Sequence, residues 1–207
     1  MSNCAVVGLV VVLLASGDWS AIVKPAAKHV ARLEILQDGE DAPGICTGVV
    51  INRAAGFVLT AAHCVEGHPN ISLTVNGRHA IVAKTNRLLD LAVVRTTLRD
   101  ETQITFAPAS PEVGAEAAVL GFAFGVEQMA AQFGRVSQTF NGETKLLWLN
   151  LDLIFGDSGG PAIDAAGRLI GINSRVYSKG PAHMAAVVPV ETVRGFVEAY
   201  LPGTASQ

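Results

Sequence analysis

From residue 29 onward, short apolar runs alternate with clusters of Gly, Asn, Asp and Pro, the signature of half-buried strands joined by tight turns. This pattern predicts strands at residues 29–36, 46–51, 57–61, 71–75, 78–84 and 91–95. A second series follows at 117–122, 129–140, 145–152, 161–164, 169–177 and 184–188. Asn76-Gly77 separates two of these runs, and a two-residue hairpin turn favours that pair because both central residues take positive φ. Residues 96–114 are polar, carry Pro108 and Pro111, and read as a linker between two halves. Only the chain's end predicts a helix, over 190–201. There Val193, Phe196, Val197, Tyr200 and Leu201 recur at helical spacing before Pro202-Gly203 stops them. So many short strands without intervening amphipathic helices predict an all-β fold, barrels or a sandwich, and exclude alternating βαβ units.

Ahead of the strands lies an almost wholly apolar run at residues 5–15, which carries much of the mean hydropathy of +0.39. Spanning a bilayer takes about 20 residues. The run instead fits the apolar region of a secretory signal peptide, with Ala15-Ser16-Gly17 as a small-residue cleavage site. The expected organisation is a leader over 1–17 and one domain over 18–207. No Lys or Arg precedes the run, so a buried strand or a retained anchor stands as the other reading. Cys4 lies in the leader, and its removal leaves Cys46 and Cys64, an even pair. A disulfide between them would persist only in an oxidising compartment, which points to a secreted or periplasmic protein. The formal charge of −3 and the scatter of Lys and Arg speak against a nucleic-acid partner. No second long apolar segment follows, so no stable membrane association is expected after cleavage.

Three segments carry chemistry. In Phe155-Gly156-Asp157-Ser158-Gly159-Gly160-Pro161, glycines flank a serine. A hydroxyl becomes a useful nucleophile only when a base takes its proton and donors stabilise the charge developing on the attacked carbonyl. The glycines allow a turn tight enough for the N–H groups of Gly156 and Ser158 to converge as an oxyanion hole. In Leu59-Thr60-Ala61-Ala62-His63-Cys64, a histidine ends an apolar strand, a fixed position suited to a general base. Asp90 opens the strand Leu91-Ala92-Val93-Val94 and is the candidate to orient the imidazole. Its competitors Asp100 and Glu101 have no rigid strand behind them. His63, Cys64 and His68 lack further ligands at metal-site spacing, so no metal is expected, and the chemistry calls for no cofactor.

At these positions the sequence resembles the trypsin/chymotrypsin superfamily, in its trypsin-like bacterial branch related to HtrA-type proteases. The matching segments are Thr47-Gly48-Val49-Val50-Ile51, Leu59-Thr60-Ala61-Ala62-His63, Asp90-Leu91-Ala92-Val93 and Gly156-Asp157-Ser158-Gly159-Gly160-Pro161. The resemblance implies two six-stranded antiparallel β-barrels with a C-terminal helix, and a triad of His63, Asp90 and Ser158 in the cleft between the barrels. It also implies a Cys46–Cys64 disulfide and serine endopeptidase activity on a polypeptide substrate. In this family the primary pocket is lined by the segment before the nucleophile and the strand after it, which assigns substrate contacts to Asp152, Ser174 and Val176. Asp152 would select Lys or Arg; Val176 stands where trypsin-like enzymes have glycine and favours small aliphatic residues. Ala21-Ile22-Val23-Lys24-Pro25 lacks the family's activation signature, so Asp157 should have a partner other than a new N-terminus. An α/β-hydrolase would need Asp164 and His183 after Ser158, but too little chain follows and strand–helix alternation is missing. A catalytically silent binding protein on the protease fold is the remaining alternative.

Overall fold

The computed structural model describes residues 18–67, 70–98, 102–141, 145–179 and 182–204. The leader expected at 1–17 lies outside them, as do His68, Asp100 and Glu101. Twelve strands form two closed antiparallel barrels. The first contains β1 (Val30–Gln37), β2 (Gly44–Asn52), β3 (Phe57–Thr60), β4 (Ile71–Val75), β5 (Arg78–Asn86) and β6 (Leu91–Thr96), in the order β1-β2-β3-β6-β5-β4. The second contains β7 (Glu116–Gly121), β8 (Ala130–Asn141), β9 (Lys145–Leu149), β10 (Pro161–Ile163), β11 (Leu169–Lys179) and β12 (Ala182–Pro189), in the order β10-β11-β12-β9-β8-β7. Closure leaves no open sheet edge in either barrel, which suits an all-β chain. Asn76 and Gly77 both take positive φ, 47° and 71°, as the β4–β5 turn requires.

One apolar cluster fills the first barrel around Leu33, Val58, Val75 and Val94, and another fills the second around Val119, Leu147, Leu149 and Ile170. A third joins them, with Val49, Leu59 and Leu91 against Leu120, Ile163 and Ile172. Each such side chain contributes about 1.5–3 kcal/mol on burial, so the barrels dock through core rather than through a hinge. The C-terminal helix α2 (Val190–Tyr200) buries Val193, Phe196 and Val197 in the shared cluster.

Two features depart from the sequence expectations. A helix, α1 (Trp19–Ala26), precedes the strands, with the Asp18 side chain capping its N-terminus through Ser20 N–H. Pro25 lies within its last turn, and eight residues make a weak periodic signal. The helix gains its stability from packing: Trp19, Ile22 and Val23 rest on the shared cluster, and Trp19 meets the Phe133 ring edge-on at 5.4 Å. The second departure is the connection expected as a linker. Its later part is built into the fold: Ile104 and Phe106 are buried, Ile104 N–H donates to Val50 O, and Phe106 bridges to Leu169.

Candidate active site

A cavity of about 950 Å³ opens on one face of the molecule, lined by His63, Asp90, Ser158 and Ser174 together with Leu153, Ile154, Phe155, Phe124, Arg87 and Arg175. His63 sits on a single 3₁₀ turn, Ala62–Cys64, immediately after β3. The Cys46–Cys64 disulfide ties that turn to β2.

Asp90 ends the turn that leads from β5 into β6. The turn is closed by Asn86 Oδ1 on Leu89 N–H (3.1 Å) and by Arg87 O on Asp90 N–H (3.3 Å). Asp90 itself takes φ +54°, a left-handed conformation that aspartate tolerates better than most residues. Its carboxylate is the acceptor for three groups. His63 N–H donates to Oδ1 at 2.9 Å, His63 Nδ1 stands 2.9 Å from Oδ2, and Ser174 Oγ donates to Oδ2 at 2.5 Å. Burial pushes the Asp90 carboxyl up, but the hydrogen bonds from the His63 ring, Ser174 and His63 N–H outweigh it and hold it below the ordinary value. An ionised carboxylate only accepts, so the Nδ1 position carries the imidazole proton and Nε2 presents its lone pair.

The loop that carries Ser158 is held from both barrels. Thr47 of β2, fully buried, donates its hydroxyl to Gly156 O (2.6 Å) and accepts from Phe122 N–H (3.0 Å). Thr47 N–H donates to Ser158 O (2.9 Å), while Gly159 N–H donates to Asn173 O (2.8 Å). Asp157 N–H donates to Ile154 O (3.0 Å) and Gly156 takes φ +102°, which makes residues 154–157 a type II turn. Phe155 O is engaged by Phe124 N–H at 2.7 Å. The N–H groups of Gly156 and Ser158 meet no acceptor among the described residues, an arrangement suited to binding an external oxyanion. At Gly159, φ +80°, any side chain would collide with Thr60 Oγ1 and Thr47 O across the barrel junction. Glycine is required there for the two barrels to touch.

Asp157 has found the alternative partners expected of it. Its Oδ2 accepts from Gln132 Nε2 (2.6 Å) and from Ile154 N–H (2.9 Å). Burial nevertheless raises its carboxyl above the ordinary value against those two hydrogen bonds.

The candidate specificity residues are scattered. Ser174 is buried and serves Asp90 as well as lining the cavity. The strand register skips from Asn173↔Val187 to Arg175↔Ala186, so Ser174 is the extra residue of a bulge, which re-aims its side chain. Asp152 is exposed and is not among the residues lining the cavity. Val176 pairs by its backbone with Ala185, and its side chain lies outside the described residues. Sequence reasoning missed Thr47 as the strap on the Ser158 loop, and it placed Ser174 at a pocket edge without its bond to Asp90. A buried threonine within an apolar strand was the available signal for the first; no local pattern foretells a bulge for the second.

The sequence profile described as a trypsin-like peptidase domain matches residues 46–172, more than half of the chain. A periplasmic pH-dependent serine endoprotease of Escherichia coli, DegQ, is 29% identical over 154 residues, covering 70% of this chain and 34% of that protein. The serine protease HTRA4 of Mus musculus is 24% identical and covers 87% of this chain and 40% of its own length. The chain thus spans about a third of the length of the curated relatives it matches. Among solved structures, the active form of the Rv3671c protease from M. tuberculosis superposes with a TM-score of 0.76 at 22% identity, covering 97% of this chain and 92% of that one. The serine endoprotease from Yersinia pestis gives 0.77 at 19% identity, with 91% and 68% covered. With the profile matched across both barrels and the fold shared, the chain belongs to the trypsin-like peptidase family.

Proposed function

We propose that this chain is a serine endopeptidase that cleaves polypeptides through an acyl-enzyme, with Ser158 as nucleophile, His63 as general base and acid, and Asp90 as orienter. The observation that carries this reading is the His63–Asp90 pair, which fixes the ring through both Nδ1 and the backbone N–H in the cavity that Ser158 lines. Ser158 Oγ attacks the scissile carbonyl while His63 Nε2 takes its proton, and the N–H groups of Gly156 and Ser158 receive the oxyanion. The imidazolium then protonates the leaving amine, and a water activated by the same ring hydrolyses the ester. The type II turn and the tethered Asp157 support activity without proteolytic activation. Leu153 and Ile154 on the cavity wall support a small aliphatic primary preference over the basic one that Asp152 would supply. The disulfide supports an exported, periplasmic or secreted protein with residues 1–17 as its leader.

A fluorophosphonate probe tests the central claim. Labelling of the wild type that disappears in Ser158→Ala and falls sharply in His63→Ala is expected; equal labelling of wild type and Ser158→Ala would overturn it. Peptide-library cleavage reads the primary preference: Ala or Val before the cut is expected, and Lys or Arg would restore Asp152 to the pocket.

A further inference from the structure

We infer, resting on the endopeptidase reading, that the cleft selects substrates with an acidic side chain close to the scissile bond, and that Arg87 and Arg175 read it. Both arginines are exposed and line the same cavity as His63 and Ser158. Both grow from the backbone that builds the site. Arg87 opens the turn closed by Asp90 N–H on its carbonyl, and Arg175 follows Ser174 beyond the β11 bulge. Their backbones are therefore held by the same turn and bulge that present Asp90 and Ser174.

Three other arginines spend their charge on neighbouring carboxylates. Arg32 pairs with Glu34, Arg135 with Glu116 and Arg168 with Asp164. Among the described residues, Arg87 and Arg175 form no ion pair, and Arg175 makes only a long 3.4 Å hydrogen bond from Nε to Ser174 Oγ. The carboxylates lining the cavity are Asp90 and Glu66. Asp90 is committed to His63 and Ser174, which leaves Glu66 alone against two outward cations. Two arginines thus balance two carboxylates on a chain of formal charge −3, with the arginines exposed and Asp90 buried, and a cleft focuses the field of its exposed groups on whatever enters it. An extended chain advances about 3.3 Å per residue, so side chains within about three positions of the cut come within reach of these guanidinium groups. Guanidinium forks match carboxylates geometrically as well as in charge.

Exposed ion pairs of this kind change a rate ratio by about two- to fivefold each. The test uses fluorogenic peptides that share one apolar residue at the cut and differ only by Glu, Gln or Lys in the flanking positions. The readout is the Glu-to-Gln ratio of kcat/KM at low and high ionic strength. Expected is a ratio of roughly five to ten at low salt, on the strength of two such pairs, shrinking as salt screens the charges. Arg87→Ala and Arg175→Ala should each lower that ratio, the double variant should bring it near one, and Arg175→Lys should retain part of it. Arg175→Glu should turn the preference toward Lys. A wild-type ratio near one, or a ratio that survives the double replacement, overturns the inference. Fluorophosphonate labelling separates the two failures. A chain that labels at Ser158 and cuts peptides without acidic preference overturns this inference alone, and one that neither labels nor cuts overturns the endopeptidase reading with it.

Discussion

The Thr47 hydroxyl of the first barrel donates to the Gly156 carbonyl of the second at 2.6 Å. That bond joins the sheet that also carries the disulfide to the Gly156–Asp157 peptide unit ahead of Ser158, so the Ser158 loop and the His63 turn are registered to the same strand. Replacement by valine keeps the shape and leaves two buried backbone groups, Gly156 O and Phe122 N–H, without their partner. Such loss costs about 1–3 kcal/mol per group. Thr47→Val should lower Tm and kcat together, and Thr47→Ser should restore most of both; unchanged thermal melting and turnover would show that the strap is dispensable.

Asp90→Asn preserves volume but replaces a pure acceptor with a group that can donate, which permits the wrong imidazole tautomer. A fall in kcat of about 10⁴ is expected with the fold intact, the size this exchange has in serine-protease triads. Ser174→Ala removes one of the three donors on the same carboxylate and should produce a smaller loss, about tenfold for a hydrogen bond to a charged group. Steady-state kinetics with melting curves checks both.

The two buried aspartates give opposite pH signatures. Burial raises the Asp90 carboxyl, but its hydrogen bonds win and leave it below 3.8, so its contribution is present above that pH. It is lost as pH falls through the folded value. Asp157 is raised above 3.8 by burial, so its contribution is present below 3.8 and lost as pH rises through its folded value. Relative to wild type, Asp157→Asn should therefore gain in Tm as pH rises from about 3 to 7, bracketing the ordinary carboxylate value. Asp90→Asn should show the reverse slope. Parallel melting curves for all three proteins would refute this assignment.

Gly156→Ala tests the type II turn. Its φ of +102° is unsuited to a side chain, and a Cβ there would collide with Phe122 O. Relief comes from turning the Phe155–Gly156 peptide, which carries the Gly156 N–H away from its place beside Ser158. Removal of one oxyanion donor costs about 10²–10³ in kcat. Ester hydrolysis should fall by that factor while KM changes little, and a variant with wild-type kcat would mean that Gly156 N–H takes no part.

Reduction of the Cys46–Cys64 bridge, which closes a loop of 18 residues in sequence separation, should cost about 3 kcal/mol through the entropy of the unfolded chain. Urea unfolding of the Cys46→Ala, Cys64→Ala double variant checks it. The same variant should lose activity before it unfolds globally, because the bridge also steadies the turn that carries His63.

Strand periodicity, turn residues and three short motifs were enough, from the chain alone, to determine an all-β molecule of two halves and to single out His63, Asp90 and Ser158 as its candidate reactive set. These are local properties: alternation follows from the two-residue repeat of a strand, and the motif glycines announce their own tight turn. The N-terminal helix escaped because its hydrophobic face has meaning only against Phe133 and the shared core. What tertiary structure alone decided is the environment of each reactive group. The Ser174 bulge, the Thr47 strap, the Gln132–Asp157 bond and the two outward arginines join residues dozens of positions apart or follow from a register shift between strands. Hydrogen bonds and fields act through space, and no periodicity along the chain records which distant strand will stand across the cleft.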